Sequence, residues 1–567
     1  MGFRQAYESW LSDSYFDEET KNELRSIKDD EAEIEDRFYK ELEFGTGGLR
    51  GVLGAGTNRM NVYTVRKATQ GLANYIKKKG GQDKGVAISY DSRRMSPEFA
   101  DVAALCLNAN GIKAYVSDTL RPVPQLSFAV RKYGCIAGIM ITASHNPPEY
   151  NGYKCYWEDG AQVTSPMDVE IIDEVRSVEK FSDALTMELS EAKEKGLYIP
   201  FGRELDDEYT EELKKLIIHP EVIREVAGDL KIVYTPFHGA GNVPVRRILQ
   251  ELGFQNVYIV PEQEEPDPDF TTLAYPNPED PKAFELALKL AKEKDADIVM
   301  ATDPDADRLG IYAKDAKTGE YIGFTGNMSG MLIAEYRIRE LAALGRLPKN
   351  GALIKTIVSS NLADPIAEDY GLKLIEVLTG FKYIGEQIKW FEEKPDQFPY
   401  EYVFGYEESY GCLVGTHARD KDGVAAVMCL AEVAAFCKKQ GITVWDQMIN
   451  IYNKYGYFKE GIHTLTLKGI DGAEQIKAIM EKIRQNPPKA FGELTVKEFR
   501  DYKKGPEVTG LPVSNVLYFD LSNQSWCCVR PSGTEPKIKF YMGVKGSSLK
   551  DAEEKLEALK KEVIAMA

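Results

Sequence analysis

The stretch 297-DIVMATDPDADRLG-310 decides the fold. Its first half, 297-DIVMAT-302, is a short apolar run of the kind that forms a strand buried on both faces of a sheet. Its second half sets Asp303, Asp305 and Asp307 at alternate positions, with Arg308 next. Carboxylates this close disfavour one another's ionised forms unless a cation sits among them. The turn lies at a strand's carboxyl end, where open α/β sheets bind their ligands. Three Asp oxygens and a substrate phosphate oxygen suit Mg²⁺. Three other readings compete with this one. An Asp-rich surface turn is the plainest. An EF-hand fails, because Arg308 stands where Gly is needed and Lys314 where Glu is needed. A phosphatase using Asp303 or Asp305 as nucleophile is left open by the turn alone.

Outward from this stretch the same alternation repeats. In the first quarter, 85-GVAISY-90, 112-IKAYVS-117 and 136-IAGIMIT-142 read as buried strands, with the helix 97-PEFADVAALCLNANG-111 between them. The second quarter has strands 231-KIVYT-235 and 256-NVYIV-260 before the aspartate strand, with helices at 243–253 and 282–294. The third has 352-ALIKTIV-358, 372-LKLIEVL-378 and 401-EYVFGY-406. Three similar segments in succession suggest internal repetition. The last part differs, with strands at 462–467, 526–531 and 537–544 and a charged closing helix at 549–567. The expectation is three related α/β domains with mixed sheets plus a C-terminal α+β domain, all around one central cleft. The boundaries fall at 1–204, with an N-terminal helical extension, then 205–323, 324–444 and 445–567. A charged helical stretch at 175–195 is expected to bridge the first two domains, and the acidic, Pro-rich 261–270 to be a surface loop.

Bulk properties exclude several classes. A chain of 567 residues suggests roughly four domains. The net charge of −18 argues against nucleic acid as the main partner, though not against a small anion held in a local basic pocket. Eight cysteines without a C-x-x-C read as reduced thiols in a cytoplasmic protein. The first twenty residues lack the apolar core of a signal peptide. The most apolar helix, 424-VAAVMCLAEVAAF-436, is too short to span a bilayer and carries Glu432, so it reads as a core helix with no membrane role.

Four more loops carry candidate chemistry. In 142-TASHNPPEYNGYK-154, Ser144 follows a buried strand and is flanked by His145, Asn146 and two prolines; it could be a nucleophile or phosphate carrier, or an ordinary turn serine. Lys154 is a possible proton-transfer group. In 405-GYEESYG-411, Glu407 and Ser409 could bond sugar hydroxyls. In 530-RPSGTEPKIK-539, Arg530, Ser532, Gly533 and Thr534 make a dense donor set suited to a phosphate dianion. In 44-FGTGGLRGVLGAGTNRMN-61, Arg50 could clamp an anion, and the glycines match neither a P-loop nor a dinucleotide fingerprint. The five histidines form no H-x-H or H-x-x-x-H pair, and G-x-S-x-G is missing, so clustered-His zinc and serine-hydrolase chemistry are unsupported.

Taken in order, T-A-S-H-N-P, D-P-D-A-D-R, G-x-E-E-S-x-G and R-P-S-G-T-E-P-K resemble the α-D-phosphohexomutase family over about 500 residues, from Phe44 almost to the end. The resemblance implies that Ser144 carries the phosphoryl group beside His145 and Asn146. It implies that Asp303, Asp305 and Asp307 bind Mg²⁺ together with the phosphate on Ser144, and that Arg308 and Arg50 are active-site arginines. Lys154 takes the place of a general acid/base. Glu407 and Ser409 take the place of sugar contacts, and Arg530, Ser532, Gly533 and Thr534 that of the loop holding the non-reacting phosphate. The sugar loop departs from the common G-E-x-S-G by Tyr406 and Tyr410. With F-G-T-G-G-L-R-G, this looks like the long-chain branch that also holds phosphopentomutases and glucose-1,6-bisphosphate synthases. The second proton-transfer residue is unassigned, with His417 a candidate. The implied activity is phosphoglucomutase, with glucose 1,6-bisphosphate as intermediate and activator and a sugar phosphate as the partner, in a cytoplasmic monomer or homodimer. Phosphomannomutase, phosphopentomutase, an aspartate phosphatase and a non-catalytic sugar-phosphate sensor are the alternatives.

Overall fold

The computed structural model describes residues 2–44, 47–467, 469–532 and 537–566. The first sheet holds β1 (Gly48–Val52), β2 (Val86–Tyr90), β3 (Ala114–Ser117), β4 (Ala137–Ile141), β5 (Tyr150–Trp157) and β6 (Tyr198–Phe201), in the order β1-β5-β4-β2-β3-β6. The second holds β7 (Lys231–Thr235), β8 (Asn256–Ile259), β9 (Ile298–Thr302), β10 (Leu309–Lys314) and β11 (Tyr321–Gly323), in the order β11-β10-β9-β7-β8. The third holds β12 (Gly351–Thr356), β13 (Lys373–Val377), β14 (Glu401–Glu407) and β15 (Gly411–Leu413), in the order β13-β12-β14-β15.

One pattern runs through all three. Two crossover helices join three parallel strands, and an antiparallel strand then returns beside the last of them. The sets are β5-β4-β2-β3, β10-β9-β7-β8 and β15-β14-β12-β13. The central strands β4, β9 and β12 are buried at every position, which is why they read as unbroken apolar runs rather than as alternating ones. In each sheet the loop after the last parallel strand, at its carboxyl end, carries one of the chemical motifs. The repetition that the sequence hinted at is thus a repeated way of presenting a loop.

The fourth sheet is antiparallel throughout: β16 (Tyr457–Thr466), β17 (Ala490–Phe491), β18 (Leu494–Asp501), β19 (Leu517–Leu521), β20 (Trp526–Pro531) and β21 (Lys537–Gly546), in the order β16-β21-β20-β19-β18-β17. The closing helix Leu549–Ile564 packs on β21 and β16.

One expectation changes. The 175–195 bridge is not one helix: Met167–Ser177 and Leu189–Glu194 are separated by a short turn at Phe181–Asp183. The N-terminal stretch is three helices, Phe3–Ser12, Glu18–Ser26 and Glu31–Phe38, gathered on an aromatic cluster in which Trp10 stacks on Phe16 with ring centroids 4.1 Å apart. The apolar helix Gly423–Lys439 is buried along nearly its whole length, packed between the helices Asn242–Glu251 and Gly326–Ala343, so it locks the second unit to the third. Among the described residues, no helix is long and apolar enough to cross a membrane.

Candidate active site

Ser144 sits on the β4–β5 turn with φ of +52°, a conformation that side chains bearing a Cβ rarely adopt. It is buried, and its hydroxyl donates to Asp303 Oδ2 across 2.7 Å, from one unit to the next. His145 Nδ1 lies 3.2 Å from the same hydroxyl. Burial, reinforced by the charges of Arg308 and Arg50, holds the His145 ring well below its ordinary pKa, so it is neutral.

The aspartate turn follows β9 as expected. Asp303, Asp305 and Asp307 are all buried and offer carboxylate oxygens within 4.8 Å of one another. Asp305 Oδ1 and Asp307 Oδ1 are buried with no hydrogen-bond partner among the described residues. Burial and the two neighbouring carboxylates push Asp303 well above the usual carboxylate range. Burial works the same way on Asp305, but the Lys154 ammonium, a hydrogen bond with Asp303 and the charge of Lys421 together outweigh it and hold that group ionised. Orphaned, hard oxygen donors among crowded buried carboxylates fit a divalent cation, and Asp303, Asp305 and Asp307 are the residues that would hold it.

Cations of the protein close the turn. Lys154, on β5, places Nζ 2.8 Å from Asp305 Oδ2 and 3.5 Å from Asp307 Oδ2. Burial opposes its charge, yet the two aspartates raise its pKa above the ordinary value. Arg308 donates its backbone N–H to Asp303 Oδ1 at 3.0 Å and its guanidinium to Glu279 at 2.8 Å. Arg50, on β1, reaches Asn146 Oδ1 at 3.3 Å.

The third unit meets this cluster directly. Glu407, at the end of β14, is buried and accepts the Gly380 N–H at 3.0 Å. Burial lifts its pKa to about 7, against the pull of Lys421. Ser409 lies half-buried two residues on, in the β14–β15 turn. The start of the helix Gly423–Lys439 abuts the aspartate turn: Gly423 N–H donates to the Ala306 carbonyl at 3.0 Å, and a Cβ at Gly423 would stand 2.7 Å from that oxygen. From the fourth unit, Arg530 on β20 lies near Glu408, whose pKa burial raises and the Arg530 charge pulls back. Ser532 donates its N–H to the Lys537 carbonyl at 2.7 Å. Gly533 and Thr534 lie outside the described residues.

Sequence reasoning missed Lys421. Its Nζ lies 3.1 Å from Asp307 Oδ2 and 3.0 Å from Asp420 Oδ1, and Asp420 in turn accepts the Tyr156 hydroxyl of the first unit at 2.9 Å. Three units therefore meet at one buried lysine. The signal was the charged run 419-RDKD-422 set directly before an apolar helix, which on its own reads as a solvated cap. His417 is engaged elsewhere. Its Nε2 pairs with Asp422 Oδ2 at 2.6 Å and its ring packs edgewise on Tyr209. The Thr379 hydroxyl, just before Gly380, is buried without a partner among the described residues.

A buried serine turned onto the acidic turn of the next unit, with Lys421 of the third unit against that turn and Arg530 of the fourth near Glu408, is an arrangement suited to handling a phosphate group. Residues 41–181, 207–319 and 325–455 match the families described as phosphoglucomutase/phosphomannomutase, alpha/beta/alpha domains I, II and III. The chain is 37% identical over 549 residues to a phosphoglucomutase of Staphylococcus aureus strain USA300, covering 94% of this chain and 96% of that one. Its likeness to the phosphoglucomutase of the bovine strain RF122 / ET3-1 is also 37%, over 538 residues, 93% of this chain and 94% of the relative. Among solved structures, the fold resembles a putative phosphomannomutase from Thermus thermophilus (TM-score 0.69, 23% identity, 93% and 99% covered). It also resembles the Paramecium phosphoglucomutase parafusin in its open form (TM-score 0.69, 19% identity, 93% and 95% covered). The chain belongs to the α-D-phosphohexomutase family, enzymes that transfer a phosphate group within one sugar.

Proposed function

We propose that this protein is a phosphoglucomutase, interconverting glucose 1-phosphate and glucose 6-phosphate by way of a phosphoserine at Ser144. The observation that carries the proposal is the meeting of Ser144 with the acidic turn of a different unit. Mg²⁺ at Asp303, Asp305 and Asp307 would neutralise charge on the oxygens of a transferring phosphoryl group.

The chain's own residues account for the rest. The phosphoryl group leaves Ser144 Oγ for the free hydroxyl of the sugar phosphate: the P–Oγ bond breaks and a bond from phosphorus to the sugar oxygen forms. Lys154, charged beside Asp305, gives a proton to the departing serine oxygen and takes up the one the sugar hydroxyl loses. Neutral His145 stays beside Oγ without adding charge. Arg308, whose backbone N–H holds the turn, and Arg50, which reaches Asn146, would supply positive charge to the phosphoryl group. Glu407 and Ser409 orient the sugar hydroxyls. Arg530 and Ser532, with Gly533 and Thr534, grip the phosphate that is not reacting. The sugar leaves this half-reaction as glucose 1,6-bisphosphate, turns end for end, and returns its other phosphate to Ser144. Glucose 1,6-bisphosphate added from outside phosphorylates the resting serine and acts as activator. Eight free, buried cysteines support a cytoplasmic setting.

A kinetic panel over glucose, mannose, ribose and deoxyribose 1-phosphates, with inorganic phosphate followed in parallel, tests the reading. Glucose 1-phosphate is expected to give the highest kcat/KM with no phosphate released. A preference for a pentose, or stoichiometric phosphate release, contradicts it.

A further inference from the structure

We propose that Arg93 is the positioning residue that sets the Ser144 turn. Its side chain is fully buried. Nη1 donates to the carbonyl of Pro147 at 2.8 Å and of Tyr150 at 3.1 Å, and Nη2 donates to the carbonyls of Ser144 and Asn146. One guanidinium thus gathers four carbonyls of a single loop, a task for a rigid fork of donors. The amide side of Ser144 is held by a chain that also starts at Arg93. Arg93 Nε lies 3.3 Å from Asp91 Oδ2; that oxygen accepts the Thr142 hydroxyl at 2.6 Å, and Thr142 Oγ1 accepts the Ser144 N–H at 2.8 Å. Amide and carbonyl of Ser144 are both fixed, which is what a residue at φ of +52° requires to stay there.

The strut also rests on the second unit. The Phe270 ring lies 5.0 Å from the Arg93 guanidinium carbon, and the neighbouring Arg94 pairs with Asp269. Phe270 is fully buried in the acidic segment 261–270, so that segment is not simply a surface loop. Arg93 therefore links the serine turn to the unit that bears Asp303. It touches neither the hydroxyl nor the aspartate turn; it acts through the loop it holds. A displacement of that loop by a fraction of a bond length is enough to cost catalysis heavily.

The inference rests on the mutase reading above, and its test separates the two. Arg93→Lys keeps the charge but cannot gather four carbonyls. Hydrogen exchange followed by mass spectrometry should show amides in 144–150 exchanging about tenfold faster, with Ala137–Ile141 unchanged. In the same variant kcat should fall by about a hundredfold while KM for the sugar phosphate stays within about threefold. Should Arg93→Lys fail to fold, Phe270→Leu, which leaves every Arg93 hydrogen bond in place, decides by the same two readouts, with a kcat loss of about fivefold expected. A kcat near wild type, or exchange rising equally in Ala137–Ile141, overturns the proposal. If the wild-type protein has no mutase activity, the proposed function fails while the exchange comparison still decides the role of Arg93.

Discussion

The Ser144 hydroxyl donates to Asp303 across 2.7 Å although 159 residues separate them. The bond closes a gap between two separately built sheets, and it points the serine oxygen at a carboxylate crowded by two others of the acidic turn.

That crowding has a measurable cost. Asp303 is held above the usual carboxylate range by burial and by Asp305 and Asp307. Asp303→Asn replaces a carboxyl group whose ionised form is disfavoured there by a neutral amide, so the metal-free variant should melt at a higher temperature than metal-free wild type. With magnesium at about a hundredfold its dissociation constant, wild type should gain about 2.7 kcal/mol. The variant should gain far less. Thermal melts with and without chelator check this, and equal magnesium shifts would remove the turn from metal binding.

Gly423 lies against the same turn without ligating anything. A Cβ there would meet the Ala306 carbonyl at 2.7 Å and the Arg308 carbonyl at 2.9 Å, both backbone atoms that cannot swing aside. Gly423→Ala should therefore weaken magnesium binding by about tenfold or more, with stability lowered by about 1–3 kcal/mol from overpacking. Titration calorimetry against the folded variant is the check, and an unchanged affinity would show that the turn is not shaped from this side.

The two lysines should separate kinetically. Lys154 contacts Asp305 and Asp307, whereas Lys421 contacts Asp307 and Asp420 and lies close enough to Glu407 to lower its pKa. Lys154→Met should lower kcat by roughly 10²–10⁴ with little change in KM. Lys421→Met should raise KM as well, because it leaves the sugar-loop carboxylate unbalanced. Steady-state kinetics in both directions distinguish the two, and identical profiles would contradict the division.

Glu407 predicts a pH dependence with a definite sign. Its pKa is about 7 in the folded protein against an ordinary 4.5. Between those values the folded chain holds a proton that the unfolded chain has lost. The residue's contribution to stability is therefore greatest below about pH 4.5 and declines as pH rises through 7. Ionised, it accepts hydrogen bonds from sugar hydroxyls, so KM should fall over the same rise. Glu407→Gln should flatten both trends, and Lys421→Met should move them to higher pH. A wild type and Glu407→Gln pair with superimposable KM profiles would remove Glu407 from sugar binding.

Much of this was legible in the sequence, for physical reasons that also explain the gaps. Strands β4 and β9 are buried on both faces, so they stand out as apolar runs, and the polar residues that end them are conspicuous. Ser144 and the aspartates were found that way. Strand β5 was not found, because Tyr150–Trp157 mixes aromatic and polar residues and begins inside what reads as a turn. Arg93 and Lys421 were missed for a different reason. A buried cation has the same local sequence as a solvated one, and only the carboxylates and carbonyls brought to it by distant segments distinguish the two. His417 shows the converse: a histidine near the sugar loop in sequence whose ring is taken up by Asp422 and Tyr209.

The most direct measurement is phosphopeptide mapping of the protein after incubation with glucose 1,6-bisphosphate, followed by a chase with glucose 1-phosphate. The account predicts one phosphate, on Ser144, lost to the sugar during the chase, and a Ser144→Ala variant that neither takes up phosphate nor interconverts the two glucose phosphates. Phosphate found on an aspartate, or an active Ser144→Ala variant, would contradict it.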